Sequence, residues 1–359
     1  MDKKLKVAVI GNGGISGVHL NGYAQNPNVE IYALCDINPE RVNHRGDQYN
    51  VPAERRFTNV YEMLEACPEI DACSVCTWNA AHAECTIAAL NAGKHVLCEK
   101  PMAMNEQEAK AMKEAAEKNG KLLMIGFVRR FGNDCAIVQD FANNDFFGEM
   151  YYAKANYRRR KGAPGGWFGD KSRSGGGPLI DLGVHVIDLV RYLMGGHKPV
   201  SVYGATFKKL GDKKNIKDKA GYSSASRSQN DIFDVEDLAS AMVRFDNGSV
   251  LQVEASFTLN QEEISIGTIE LFGTKGGARM DPGLKLFTDM NDYMANVELT
   301  APTALSFEGL FENEINHFVD CVMNGTPCRA PAEDGVTLMK ILDGIYESAR
   351  TGHEVILED

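Results

Sequence analysis

Val7-Ala8-Val9-Ile10-Gly11-Asn12-Gly13-Gly14-Ile15-Ser16 decides the reading of the fold. Four apolar residues, three of them β-branched, form a short buried strand that the glycines break. A helical pattern over Gly17 to Asn26 follows, so the segment reads as strand, tight loop and helix. Gly11 permits the turn, Gly13 lets backbone amides approach a phosphate, and the helix start favours negative charge. The third small position is Ser16 rather than glycine, still small enough for close helix–strand contact. A carboxylate, Asp36, ends the next apolar run, Val29 to Asp36. An acid there accepts hydrogen bonds from both ribose hydroxyls of NAD and repels the extra phosphate of NADP. Gly11, Asn12, Gly13, Gly14, Ile15 and Asp36 therefore predict a dinucleotide site that favours NAD over NADP. Arg41, the nearby cation suited to a 2′-phosphate, reads as a solvated helix residue.

The alternation continues outward. Asn38 to Asn50 reads as a helix, Tyr61 to Ala66 as a short one, and Ala72 to Thr77 as a buried strand. His82 to Ala92 is a helix ended by Gly93. His95 to Cys98 is the next strand, Asn105 to Asn119 a helix closed by Gly120, and Leu122 to Gly126 another strand. Such spacing predicts a parallel sheet with right-handed crossovers over residues 1–127. After Phe127 the period changes. A helix over Asp134 to Asn143 precedes strand-like runs at Met150 to Arg159, Val200 to Lys208, Leu238 to Phe245, Ser249 to Phe257 and Glu263 to Phe272. Asp246-Asn247-Gly248 is a hairpin signal between two of them. Residues 128–359 thus read as an α+β domain with an open, largely antiparallel sheet. The final helices, Glu312 to Met323 and Glu333 to Ala349, are expected to pack back on the first domain. Lys209 to Asp231, polar and without periodicity, reads as a mobile excursion or as a lid or subunit-contact segment.

Composition excludes several classes. With 38 Lys+Arg against 49 Asp+Glu the net charge is −11, which argues against nucleic acid or an anionic membrane as partner. Arg158-Arg159-Arg160-Lys161 is too short a basic run to reverse that. The apolar residues before Gly11 are too few for a signal-peptide core, and no later run approaches a membrane span. Several of the nine cysteines (Cys35, Cys73, Cys76, Cys98) sit in apolar stretches, as expected of reduced thiols in a cytoplasmic protein. Cys73-Ser74-Val75-Cys76 has a metal-like spacing, but strand alternation sends the two sulfurs to opposite faces, so no metal is expected.

Two further motifs carry chemistry. Lys100 ends an apolar strand in Ala92-Gly93-Lys94-His95-Val96-Leu97-Cys98-Glu99-Lys100-Pro101. Asp181 and His185 stand four apart in Gly175-Gly176-Gly177-Pro178-Leu179-Ile180-Asp181-Leu182-Gly183-Val184-His185, which puts both on one helical face. With Gly11-x-Gly13-Gly14-Ile15 ahead of them, these motifs resemble the Gfo/Idh/MocA oxidoreductase family, over nearly the whole chain. The resemblance implies a Rossmann doubly wound parallel sheet in the first domain. It also implies that Lys100 hydrogen-bonds the reacting oxygen beside the nicotinamide and that His185 takes the alcohol proton. Asp181 would orient the substrate hydroxyl or the histidine, and Asp188 reads as a helix support. The family places the segment Thr77-Trp78-Asn79-Ala80-Ala81-His82 near the nicotinamide, with Trp78 standing where many members have proline. Thr77, Trp78, Asn79, His82, Glu99 and Lys100 are accordingly cofactor-side candidates, His82 reading equally as a helix-start residue.

Arg130, Tyr157, Arg158, Trp167 and Arg173 flank the motifs and join Lys100, Asp181 and His185 as substrate candidates. An indole on a loop, as at Trp167, suits the C–H face of a sugar. The function implied is oxidation of a secondary hydroxyl of a sugar, glycoside or cyclic polyol, such as C3 of a glucoside or an inositol carbon. Hydride passes to nicotinamide C4 and a ketone forms. Some relatives instead use transient oxidation to eliminate a glycosidic substituent and retain NAD. A non-catalytic dinucleotide sensor is a third reading, against which stands the presence of Lys100, Asp181 and His185. A homo-oligomer through the C-terminal sheet is also implied.

Overall fold

The computed structural model describes residues 4–358 apart from 212, 214, 215, 218–221, 225, 281 and 282. Six strands form a parallel sheet: β1 (Leu5–Ile10), β2 (Val29–Cys35), β3 (Arg56–Phe57), β4 (Ala72–Val75), β5 (His95–Glu99) and β6 (Leu123–Gly126). Their order is β3-β2-β1-β4-β5-β6. Val7 to Ile10, Ala72 to Val75, Val96 to Cys98 and Leu123 to Ile125 are all buried, the near-continuous runs that strands covered on both faces require. Sequence order reverses between β1 and β4, the place where an open α/β sheet takes a ligand at its strands' C-terminal ends.

The helices are α1 (Ser16–Gln25), α2 (Pro39–Gln48), α3 (Val60–Ala66), α4 (His82–Asn91), α5 (Glu106–Asn119), α6 (Asn133–Asn143), α7 (Lys171–Ser174), α8 (Val184–Leu193), α9 (Leu310–Asn324) and α10 (Ala332–Thr351). Asn38, Asn59 and Asn105 start α2, α3 and α5 by accepting amide hydrogens from the first turn. The chain divides into two compact units, residues 1–128 with 308–336 and residues 129–307 with 337–359. Within the first unit α9 lies along α1. A Cβ on Gly22 would come within 3.0 Å of the Ile315 side chain, so glycine sets that close approach. The open edge of β6 is covered as well: Ile125 donates its amide to the Ala330 carbonyl at 2.9 Å, and Met124 bridges to Pro331.

The second unit holds a nine-stranded sheet of β7 (Met150–Arg159), β8 (Pro199–Phe207), β9 (Leu238–Phe245), β10 (Val250–Ser256), β11 (Ser265–Gly273), β12 (Gly276–Met280), β13 (Lys285–Met290), β14 (Tyr293–Val297) and β15 (Val355–Ile356). The order is β14-β13-β12-β11-β7-β10-β9-β8-β15. Every pairing is antiparallel except that of β7 with β10. Alternation is clean on the central strands. Ala153, Ala155, Val253, Ala255, Ala241 and Val243 are buried, while Lys154, Gln252 and Met242 point the other way. β12 to β14 extend the sheet past the last strand read from sequence; their glycines and exposed polar residues carry little apolar period.

A buried ion pair fixes α8 within this unit. Arg130 donates to Asp188 through Nε at 3.0 Å and Nη2 at 2.5 Å, and its guanidinium stacks over the Tyr192 ring at 4.5 Å. Both charged groups are almost fully buried, so removing one strands the other. Asp188→Ala is expected to lower the unfolding free energy by roughly 3–5 kcal/mol, read as a fall in the urea midpoint. A double change to Met at 130 and Leu at 188 should cost less, because no unpaired charge remains.

Candidate active site

The dinucleotide half begins where β1 ends. Gly11 has φ +87°, and a Cβ there would lie 2.6 Å from the Cys76 carbonyl oxygen, so only glycine lets this loop cross the end of β4. Around Gly13, by contrast, a Cβ would meet nothing within 4 Å among the described residues. The backbone there borders open space at the start of α1, as a pyrophosphate needs. Asp36 is buried at the end of β2. Its Oδ2 accepts the Asn12 amide at 2.5 Å and its Oδ1 the Asn38 amide at 2.8 Å. Each oxygen keeps acceptor capacity for a hydroxyl. Asn12 Nδ2 donates to the Cys35 carbonyl at 2.8 Å, while Asn12 Oδ1 is buried without a hydrogen-bond partner. A donor from a bound group would satisfy it. Glycine approach, free space, a positioned carboxylate and an orphaned acceptor together fit NAD.

The segment after β4 is clamped by a histidine. Thr77 Oγ1 donates to the Trp78 carbonyl at 3.2 Å, Trp78 is half-buried, and Asn79 is buried in the 3-10 turn Asn79–Ala81. His82 is buried too, with Nδ1 2.7 Å from the Pro101 carbonyl and Nε2 3.2 Å from that of Thr77. Both ring nitrogens therefore face backbone, and the imidazole ties the Thr77 segment to the loop that follows Lys100. Burial holds its pKa below the usual value, against the pull of the two facing carbonyls, which favour the charged ring.

Glu99 acts inward rather than toward a ligand. Its Oε2 accepts the Lys100 amide at 3.1 Å and its Oε1 faces His19 Nε2 at 2.9 Å. His19 in turn meets Ser74 Oγ at 3.2 Å, and Tyr23 OH lies 2.7 Å from the same hydroxyl. Glu314 of α9 completes the cluster. Its carboxyl is fully buried with no hydrogen-bond partner on either oxygen, and polar atoms of His19, Glu99 and Glu314 lie within 4.8 Å of one another. Burial and the Glu99 charge push the Glu314 pKa well above the carboxylate range. Burial works against ionised Glu99 as well, but the His19 hydrogen bond prevails and holds it below that range. Glu314 therefore holds a proton where Glu99 stays charged.

In the second unit the Asp181–His185 segment is mounted on Glu236. Gly175, in the left-handed region at φ +82°, ends α7. Asp181 lies in the π-helical turn Leu179–Gly183, and His185 in the first turn of α8. Turns of this kind recur at functional sites. The Glu236 carboxylate accepts the amides of Gly177 at 2.9 Å and Leu179 at 3.2 Å, and the Tyr346 hydroxyl at 2.9 Å. A Cβ on Gly177 would lie 2.3 Å from the Glu236 carbonyl oxygen, which explains a glycine there. Tyr157 faces this helix, its ring 6.5 Å from that of His185. Trp167 stacks on Phe168 at 4.1 Å, and Phe168 meets Tyr222 edge-on at 6.0 Å.

The remaining substrate candidates separate. Arg158 neighbours Tyr157 in β7, so alternation puts it on the opposite face, paired with Glu254 at 3.1 Å. Arg159 shares the Tyr157 face instead, donating to its hydroxyl at 3.2 Å with the guanidinium 5.1 Å from its ring centre. Arg130 is held by Asp188, and Arg173, on α7, by Asp170 at 3.4 Å. The described part of Lys209 to Asp231 is anchored at both ends; the rest lies outside the described residues. Asp237 accepts the amides of Lys209, Leu210 and Gly211 at 2.5–2.9 Å, while Asp231 accepts that of Gly166 at 2.5 Å.

Because Glu314 binds its proton more tightly folded than unfolded, stability falls as pH rises from the ordinary carboxyl range toward the folded value. The loss is about 1.4 kcal/mol per pH unit. Glu314→Gln removes it, so urea midpoints at pH 5, 6 and 7 should show the variant gaining on the native protein; parallel curves would contradict a proton held on Glu314. Glu236→Ala should lower kcat/KM about tenfold or more by releasing two amides and a phenol, with NAD affinity measured by calorimetry unchanged.

The sequence signature of the oxidoreductase family's NAD-binding Rossmann fold matches residues 5–127, and that of the family's C-terminal domain matches residues 137–279. D-glucoside 3-dehydrogenase of Escherichia coli K12 is 33% identical over 355 residues, 98% of this chain and 97% of that protein. Levoglucosan dehydrogenase of Pseudarthrobacter phenanthrenivorans is 30% identical over 292 residues, 76% of this chain and 73% of its own. A solved structure of levoglucosan dehydrogenase with NADH shares the fold, with a TM-score of 0.86 at 24% identity over 99% of this chain and 100% of that one. The nucleotide fingerprint on β1, the Glu99-Lys100-Pro101 turn and the Asp181–His185 helix thus belong to one inherited framework, and the chain is a member of the Gfo/Idh/MocA family of NAD-dependent oxidoreductases.

Proposed function

We propose that this enzyme oxidises the C3 hydroxyl of a D-glucoside to a ketone. The observation that carries the reading is the 33% identity, spread over 98% of the chain, to an enzyme named for that reaction. NAD, when bound, supplies the hydride acceptor. The Gly11 to Ile15 backbone receives the pyrophosphate, Asp36 the ribose hydroxyls, and Thr77, Trp78 and Asn79 line the nicotinamide side. Glu99 and His82 serve that side indirectly, by fixing the backbone around Lys100. Lys100 donates a hydrogen bond to the reacting oxygen, and His185 takes the hydroxyl proton as the carbon–oxygen double bond forms. Asp181 orients that hydroxyl. Trp167 and Tyr157 offer ring faces to the sugar, while Arg159 supplies a cation beside Tyr157. Such general acid–base assistance is worth about 10²–10⁴-fold.

The enzyme works in the cytoplasm as a homo-oligomer joined through the outer face of the nine-stranded sheet. Tyr203 of β8 and Met242 of β9 are cross-strand partners on that face, 54% and 51% exposed. Apolar side chains so placed suit burial by a second copy, which sedimentation analysis checks.

NADH formation should be followed with methyl and aryl glucosides, free hexoses and inositols, with Lys100→Ala as control. Glucosides should turn over best, and the variant should lose at least about a hundredfold in kcat. Turnover on inositols alone would overturn the glucoside assignment. Aglycone release without net NADH would replace simple oxidation by redox-neutral cleavage.

A further inference from the structure

His317, Cys321 and Cys328 bring one nitrogen and two sulfurs together in the C-terminal half of α9 and the segment that follows it. His317 and Cys321 stand four apart on one helical face, with Cys321 Sγ 3.4 Å from His317 Nε2. The helix stops at Gly325, in the left-handed region at φ +72°, and the chain doubles back. Its return is fixed twice over. Asp320 accepts Asn324 Nδ2 at 2.6 Å and the Thr326 hydroxyl, and the Arg329 amide donates to His317 Nε2 at 3.0 Å. Cys328 lies between these two tethers. Its sulfur, the Cys321 sulfur and the imidazole nitrogen all fall within 4.8 Å of one another. Ligands about 2.0–2.3 Å from one tetrahedral ion stand roughly 3.3–3.8 Å apart, so only small side-chain rotations separate this set from a coordination sphere. Cys321 is buried, whereas His317 and Cys328 are half-exposed and give access from solvent.

We propose that His317, Cys321 and Cys328 form a binding site for a thiophilic d10 cation, zinc(II) or copper(I). Two thiolates and an imidazole are the donors such ions prefer over magnesium or calcium. Binding is not a redox step. Two S–H bonds break, their protons pass to solvent, and two metal–sulfur bonds and one metal–nitrogen bond form. A fourth position stays open to water. The Arg329 amide, displaced from Nε2, is left beside the sulfurs as a donor that offsets thiolate charge. The ion would join the end of α9 to the segment that covers β6, so the site is structural rather than part of the hydride chemistry.

Reduced, chelator-stripped full-length protein titrated with cobalt(II) tests this directly. One equivalent should give thiolate charge-transfer absorption and the strong visible bands of a tetrahedral ion, and zinc should displace it. Cys328→Ser, a half-exposed loop position, should fold normally by circular dichroism, keep its NAD-dependent activity, and bind cobalt at least tenfold more weakly. Losing a direct ligand should cost no less than losing an outer partner. His317→Gln should do likewise. Zinc should raise the thermal midpoint of the native protein and raise that of Cys328→Ser less at the same concentration. Absence of thiolate bands in the reduced native protein would overturn the proposal. So would bands that persist in Cys328→Ser at native affinity, since the metal would then sit on other thiols.

Discussion

A buried carboxylate, Glu99, is the constraint around which the first unit is arranged. It ends β5, the strand next to β4, fixes the amide of Lys100 and faces an imidazole from α1. An ion so deep in a protein survives only if its neighbours compensate it. His19, Ser74 and Tyr23 form the hydrogen-bonded side of that compensation. Glu314 forms the other side by holding a proton that keeps a second negative charge out of the core. Helix, strand and turn are thereby registered against one another at the place where the proposed lysine must point accurately.

The second unit uses the same device with different parts. Glu236 receives two amides from the turn that carries Asp181 and a phenol from α10. In both units an internal acid orients backbone and leaves the groups proposed to meet substrate to the next residues along. Precision of this kind matters because small displacements of a reacting group cost large factors in rate.

Local features of the chain were legible. Gly11 to Ser16 between a strand and a helix, Asp36 at the end of the next strand, and the alternating runs of β7, β9 and β10 all carry their signal within a few residues. Asp188 as a support for its helix was legible too, though not its partner Arg130, 58 residues away. Glu314, Glu236 and Tyr346 gave no signal. Each is an unremarkable polar residue in its own stretch of chain and acquires a role only from atoms distant in sequence. Tyr157 and Arg158, both read as substrate candidates, lie on opposite faces, as neighbours in a strand do. Arg159 was the residue that alternation selects. The β12–β14 extension escaped because its strands are short, glycine-rich at the start and largely exposed at the end.

The first unit is discontinuous in the chain, and this bears on how the protein is made. On a ribosome, the six strands of the parallel sheet are complete some 180 residues before α9 emerges, the interval between Val128 and Glu308. Until then the face of α1 around Gly22 lacks Ile315, and the edge of β6 lacks the amide partner at Ala330. Synthesis therefore yields a nascent sheet with an open flank and an apolar helix face, features that recruit holding factors or other nascent chains. The unit closes only once residues 308–336 have been translated, which makes its folding a late, long-range event even though its first 128 residues look locally self-sufficient.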